Sequence, residues 1–133
     1  MRYPLDELID KKSIIRLKIE RIEDEEDKKM LKKEYQDYAA AVEEYISDGI
    51  CTISQVENWY KKLYQFNGNT WDLEVNIRKG QIGEMSLEEI GRTAILIRES
   101  NRERIRIKSM IVEGIGSGYK DIKINHASLK SDK

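Results

Sequence analysis

LDELIDKKSIIRLKIERIEDEEDKKMLKKEYQDYAAAVEEYISDG, residues 5–49, holds no proline and no glycine before its last residue. Its apolar side chains recur at helical steps, first as Leu8, Ile15, Ile19 and Ile22, then as Leu31, Tyr35, Tyr38, Val42 and Tyr45. Steps of three and four place residues on one face of an α-helix. Pro4 suits a helix start, and Asp48-Gly49 suits a stop. Between the stripes, five consecutive acids (Glu23–Asp27) are followed by Lys28, Lys29, Lys32 and Lys33. Asp24–Lys28 and Glu25–Lys29 have the acid-first i,i+4 order that supports a helix. The reading is one long helix over 5–47. The stripes change phase across 23–29, and a kink or tight hairpin there is the alternative.

Downstream, Ser54-Gln55-Val56-Glu57 reads as a capping box opening a short helix through Phe66. Asn67-Gly68-Asn69 reads as a turn, with Thr70 capping a further short helix from Trp71 to Lys79. Ser86-Leu87-Glu88-Glu89 is a second capping box, opening a long helix to Glu113 that Gly114 stops. The expectation is an all-α, antiparallel bundle of four to five helices, two of them long. One domain covers 1–115, and 116–133 form a flexible tail.

Of the 133 residues, 24 are Lys or Arg and 25 are Asp or Glu, for a net charge of −1. The charged share, 37%, exceeds the roughly 25% of an ordinary domain. No run of about 18 apolar residues is present to span a membrane. The first residues carry acids where a secretory signal needs an apolar core. One cysteine, Cys51, builds neither a disulfide framework nor a thiolate zinc site. Near-neutral charge gives no basic footprint for nucleic acid. A small, soluble, cytoplasmic protein is expected, with neither membrane nor nucleic acid as partner. The charge is unevenly spread: residues 1–60 hold 10 Lys/Arg against 15 Asp/Glu, and residues 61–133 hold 14 against 10.

The most informative feature is polar residues at apolar positions. On the last helix Leu87, Ile90, Ala94, Ile97, Ile105 and Val112 define a face, on which Asn101, Arg98 and Lys108 also fall, with Arg104 at its edge. Leu96, Ile107 and Met110 mark a second strip, which suggests contact on both sides, within the bundle or across a homodimer. On the first helix Asp10, Ile14, Leu17 and Arg21 form their own stripe. Cations on a core face need partners, because an unpaired buried charge is costly to desolvate. Asp10, Glu20 and Glu74 are the candidates. Two readings stay open. One is a polar interhelical pocket in which Arg98, Asn101, Arg104 and Lys108 bind an anion such as phosphate. The other is an internal network that fixes helix register.

Glu7-Leu8-Ile9-Asp10-Lys11-Lys12-Ser13-Ile14 with Leu17-Lys18 and Glu20-Arg21-Ile22, Trp71-x-x-Glu74-x-x-x-Arg78, and Ile97-Arg98-x-x-Asn101-x-x-Arg104-Ile105-x-x-Lys108 together resemble a family of uncharacterised small helical proteins from bacteria and phages. The resemblance covers residues 5–112 in three blocks. It implies an all-α bundle and picks out Asp10, Lys18, Arg21, Trp71, Glu74, Arg78, Arg98, Asn101, Arg104 and Lys108, without supplying a reaction. The functional expectation is a binding or accessory protein that takes a phosphorylated ligand, with no cofactor. A purely structural or oligomerisation protein is one alternative.

The enzyme alternative is a Mg²⁺ site. Glu20-x-x-Glu23 and Glu34-x-x-Asp37 resemble the carboxylate pairs of all-α nucleotide pyrophosphohydrolases, where i,i+3 acids offer oxygen ligands. Only ten residues separate the pairs, and they face each other only if a hairpin forms at 24–28. Elsewhere His126 stands alone in the tail, and Cys51 reads as a structural thiol. Gly114-x-Gly116-x-Gly118 reads as a helix stop, and the tyrosine stripe as core packing.

Overall fold

A computed structural model of the chain describes residues 2–79, 83 and 85–116. Among them are four helices: α1 (Leu5–Arg21), α2 (Glu25–Ser47), α3 (Ile53–Lys79) and α4 (Leu87–Gly114). They form an all-α bundle in which α1 packs on α2, α3 and α4, and α3 packs on α4. Successive helices run antiparallel. No helix among the described residues is long and apolar enough to cross a membrane. Apart from Gly116, the expected tail, with His126 and Gly118, lies outside the described residues.

The single helix expected over 5–47 is two helices. Ile22 turns to extended backbone (φ −88°, ψ 141°) and Asp24 follows (φ −68°, ψ 122°). The Asp24 carboxylate accepts from the Asp27 N–H at 3.0 Å, capping α2. The acid run explains the break. Glu25, Glu26 and Asp27 sit in the first turn of α2, at the positive end of its dipole, while Lys18 and Arg21 close α1 at its negative end. A continuous helix would have buried that complementarity in its middle.

The second correction concerns α3, one continuous helix of 27 residues. Its capping box is Thr52–Gln55, two residues earlier than expected: Thr52 Oγ1 accepts from the Gln55 N–H at 3.1 Å, and Gln55 Oε1 accepts from the Thr52 N–H at 2.9 Å. No turn forms at Asn67-Gly68-Asn69. Asn67 and Gly68 are buried against α1, where Leu17 Cδ2 lies 3.5 Å from the place a Gly68 Cβ would take. Packing overrides the weak helix propensity of Asn and Gly. The α4 capping box is as expected: the Glu89 N–H donates to Ser86 Oγ at 3.2 Å, and Glu89 Oε1 accepts from the Ser86 N–H and hydroxyl, each at 3.1 Å, which holds the Glu89 carboxyl below its usual range.

The core lies at the end where α1 begins. There Leu5, Leu8 and Ile9 meet Val42 and Tyr45 of α2, Val56, Trp59 and Leu63 of α3, and Ile107 and Ile111 of α4. Trp59 closes on the end of α4 so tightly that a Cβ on Gly114 would stand 2.8 Å from its ring. At the other end α3 and α4 continue past α1, whose last residue, Arg21, pairs with Asp72.

The phase of α4 differs from expectation. Its inward stripe is Thr93, Ile97, Ser100, Arg104, Ile107 and Ile111, of which Thr93, Ile107 and Ile111 are buried. The middle of the face expected to be core lies roughly 90° away, at 100° per residue; of its residues Val112 is buried and Ile97 is half-buried at the edge shared with the inward stripe. Leu87 is 88% exposed and Ile105 is 63% exposed.

Replacing Gly68 by Ala separates a helix interior from a turn. The new methyl meets only ordinary contact with Leu17 and the end of the Arg21 side chain, so urea unfolding should show a gain of about 0.5–1 kcal/mol. A loss of that size would indicate a turn.

Candidate functional site

Asp10 is the most deeply placed charge in the bundle, 1% exposed. It projects from the α1 stripe that also carries Ile14 and Leu17, toward α3 and α4. One carboxylate oxygen accepts from Asn67 Nδ2 at 2.9 Å and from Arg104 Nε at 3.0 Å. The other accepts from Nε and a terminal nitrogen of Arg104, and lies 3.9 Å from Lys108 Nζ. Arg104 thus grips Asp10 with both arms of its fork, and this bond, chiefly, raises the guanidinium above its usual value. Lys108 donates to Glu7 Oε2 at 2.8 Å. Ser13, one turn after Asp10, donates to the Asp10 carbonyl at 2.7 Å and accepts from Asn67 at 2.9 Å.

These commitments define what the cluster can do chemically. The Asp10 carboxylate is occupied by donors, so it can act as a base only by giving up Arg104. The Ser13 hydroxyl donates its proton to a backbone carbonyl, which is no base, and its oxygen accepts from Asn67, so it is not activated for nucleophilic attack. Arg104 and Lys108, expected to bind an anion directly, are spent on Asp10 and Glu7.

Beside the cluster α1 and α4 part, leaving a cavity of about 320 Å³ floored by α3. Ile14, Leu17, Asn67, Thr70, Trp71, Glu74, Asn101 and Arg104 line it. Four of the ten candidates, Trp71, Glu74, Asn101 and Arg104, therefore share one cavity, and Asp10 stands behind it. Arg21 lies over the Trp71 ring, 5.5 Å from its centre. Arg78 is exposed on the stripe of α3 that carries Trp71 and Glu74, one turn beyond Glu74, and makes no ion pair among the described residues. Lys108 stands with Glu7 beside Asp10, and the last two are elsewhere. Lys18 lines a groove between α1 and α2, and Arg98, expected on the core face, lies in a trough on the outer side of α4.

The alternative Mg²⁺ ligands are not assembled. The α1–α2 hairpin they require is present, yet Glu20 turns to Arg16 and Tyr64, while Glu34 and Asp37 line the groove with Lys18 and Lys33. No three His, Cys, Asp or Glu side chains among the described residues are placed to share a metal ion. Cys51 is buried, and burial pushes its thiol upward, away from the reactive thiolate.

Ser13, Asn67, Thr70 and Ser100 were missed by sequence reasoning. Ser13 carried a signal, lying three residues from Asp10. Asn67 was hidden by the turn reading; on a continuous helix it falls in line with Trp71 and Glu74. Thr70 and Ser100 share a hydrogen bond of 2.7 Å between α3 and α4. A further cluster went unnoticed on the far side of α1. Lys12 lies over the rings of Tyr35 and Tyr60, Arg16 lies over Tyr64, and the Tyr35 and Tyr60 hydroxyls are 3.0 Å apart.

Comparison of the chain with protein-family models, with curated proteins and with solved structures gives no match.

Two outcomes test these assignments. Asp10→Ala strands Arg104, which is one-third exposed, so denaturant unfolding should lose stability at the low end of about 3–5 kcal/mol; pairing Asp10→Leu with Arg104→Met should recover most of it. Burial, seconded by the Tyr35 hydroxyl, raises the Tyr60 phenol well above the ordinary tyrosine value. The protonated phenol is thus favoured in the folded state. Its contribution is complete below about pH 10, the unfolded value, and is lost as pH rises toward the folded value. Tyr60→Phe should flatten that alkaline fall in melting temperature.

Proposed function

We propose that this chain is a binding or accessory protein without covalent chemistry of its own, and that the cavity between α1, α3 and α4 takes a phosphorylated small molecule. The observation that carries this reading is the convergence of Trp71, Glu74, Asn101 and Arg104 on one cavity of about 320 Å³. That volume lies at the small end of the usual range for ligand sites, about 300–1,000 Å³. Trp71 offers a flat apolar surface, and Glu74 and Asn101 offer acceptors and a donor to hydroxyl groups. Arg104 shapes the wall, its charge balanced by Asp10. The phosphate falls to Arg78, one turn beyond Glu74 on the same stripe of α3, with Arg21 against Trp71 as the neighbouring cation. Arg forks suit phosphate oxygens. The charge-rich composition and single cysteine support a cytoplasmic setting. The three sequence blocks support membership of the uncharacterised bacterial and phage family.

A melting screen against nucleotides and sugar phosphates, each beside its dephosphorylated counterpart and with and without Mg²⁺, tests the reading. A ligand at 100 times its Kd adds about 2.7 kcal/mol to stability. Phosphorylated members should raise the melting temperature without Mg²⁺. Arg78→Ala should abolish the shift while leaving the unliganded melting temperature in place, since Arg78 is exposed. Equal shifts from phosphorylated and dephosphorylated compounds, or none from either, would overturn it.

A further inference from the structure

Helix α4 carries two solvent-facing apolar surfaces on opposite sides of its buried stripe, and they differ in charge. On the outer side a trough of about 500 Å³ is formed by Ala94, Ile97 and Ile105 together with Asn101, Arg98 and Arg102. Neither arginine makes an ion pair among the described residues. On the other side a groove of about 430 Å³ runs between α3 and α4. Its apolar walls include Phe66, Leu73 and Leu96, and its rim holds Asp72, Glu99 and Glu103. Glu99 makes no ion pair among the described residues, while Asp72 and Glu103 meet Arg21 and Arg106 in pairs open to solvent, which are worth little. Leu96 is 49% exposed in this groove.

We infer that a second copy of this chain covers these surfaces, the Arg98/Arg102 strip of one copy seating in the Asp72/Glu99/Glu103 groove of the next. The charges decide the geometry. A twofold dimer through the strip sets four arginines against one another, and one through the groove sets six carboxylates together, whereas like charges brought face to face are costly. Only strip against groove joins opposite charges over an apolar centre. Such a contact is heterologous: a pair of copies keeps one strip and one groove free, so assembly continues into a ring or an open chain. This inference does not rest on ligand binding in the cavity: it is argued from the charges and apolar side chains of the strip and the groove, which share only Asn101 with the cavity lining.

Sedimentation of the full chain at rising concentration is the test. The wild type should exceed its 15.6 kDa chain mass at low salt and return toward it at high salt. Ile105→Asp in the strip and Leu96→Lys in the groove should each remain monomeric alone, and an equimolar mixture of the two should associate again. Both positions are exposed enough to leave the fold intact, which circular dichroism checks. Arg102→Glu and Glu99→Lys give the same test by charge alone. A wild type that stays monomeric, a variant that associates by itself, or a mixture that stays monomeric overturns the inference.

Discussion

The pairing of Asp10 with Arg104 is the interaction on which the arrangement of this bundle depends. Aliphatic faces of helices attract without strong preference for register, because a slide by one turn exchanges one set of branched side chains for another. A carboxylate that is 1% exposed tolerates no such slide. It must find its guanidinium, and Arg104 must enter α4 at the level where Asp10 leaves α1. Asn67 extends the same requirement to α3, since its amide donates to both Asp10 and Ser13. Three helices are thus fixed at one height by groups that cost free energy if misplaced. The apolar core lies to one side of this level, from Leu5 to Ile111. On the other side α1 leaves α4, and the cavity opens there.

The helical class and the presence of misplaced polar groups were legible in the sequence, because both follow from local spacing. The stripe Asp10, Ile14, Leu17 is three or four residues per step, and it does line the inner wall. Partners for the α4 cations were correctly sought in Asp10. What local spacing cannot supply is competition between equal signals. The acid run at 23–27 is compatible with i,i+4 pairs inside a helix and with a helix start; the cap at Asp24 and the dipole at both ends favour the start. Asn67-Gly68 has strong turn character, yet burial against Leu17 and two bonds from the Asn67 amide outweigh it.

The misplaced phase of α4 has a different cause. The strongest apolar pattern on that helix, from Leu87 through Ile105, is not the pattern that faces the core. The inward stripe contains Thr93, Ser100 and Arg104, whose polarity conceals it from any hydrophobic count. Thr93 satisfies itself on the Glu89 carbonyl, Ser100 on Thr70 and the Phe66 carbonyl, and Arg104 on Asp10. Each polar group on the inner side has its partner, so the inner stripe tolerates low hydrophobicity. The outer strip has no such explanation within one chain.

Net neutrality therefore arises from two separate populations of charge. Near the centre, acids and bases cancel in contact: Asp10 with Arg104, Glu7 with Lys108. On α4 they are segregated instead, with Arg98 and Arg102 on one flank and Glu99 and Glu103 on the other. Segregation is what i,i+4 repetition gives when adjacent residues alternate in sign along a helix: Arg98 and Arg102 stack on one side, Glu99 and Glu103 on the next. The result is a helix that is neutral in total and strongly sided in space. Asn101 stands at the junction of these features, lining both the cavity and the basic strip. Whatever covers the strip also borders the cavity. By thermodynamic linkage, any effect of such a cover on ligand affinity is matched by an equal effect of the ligand on the cover.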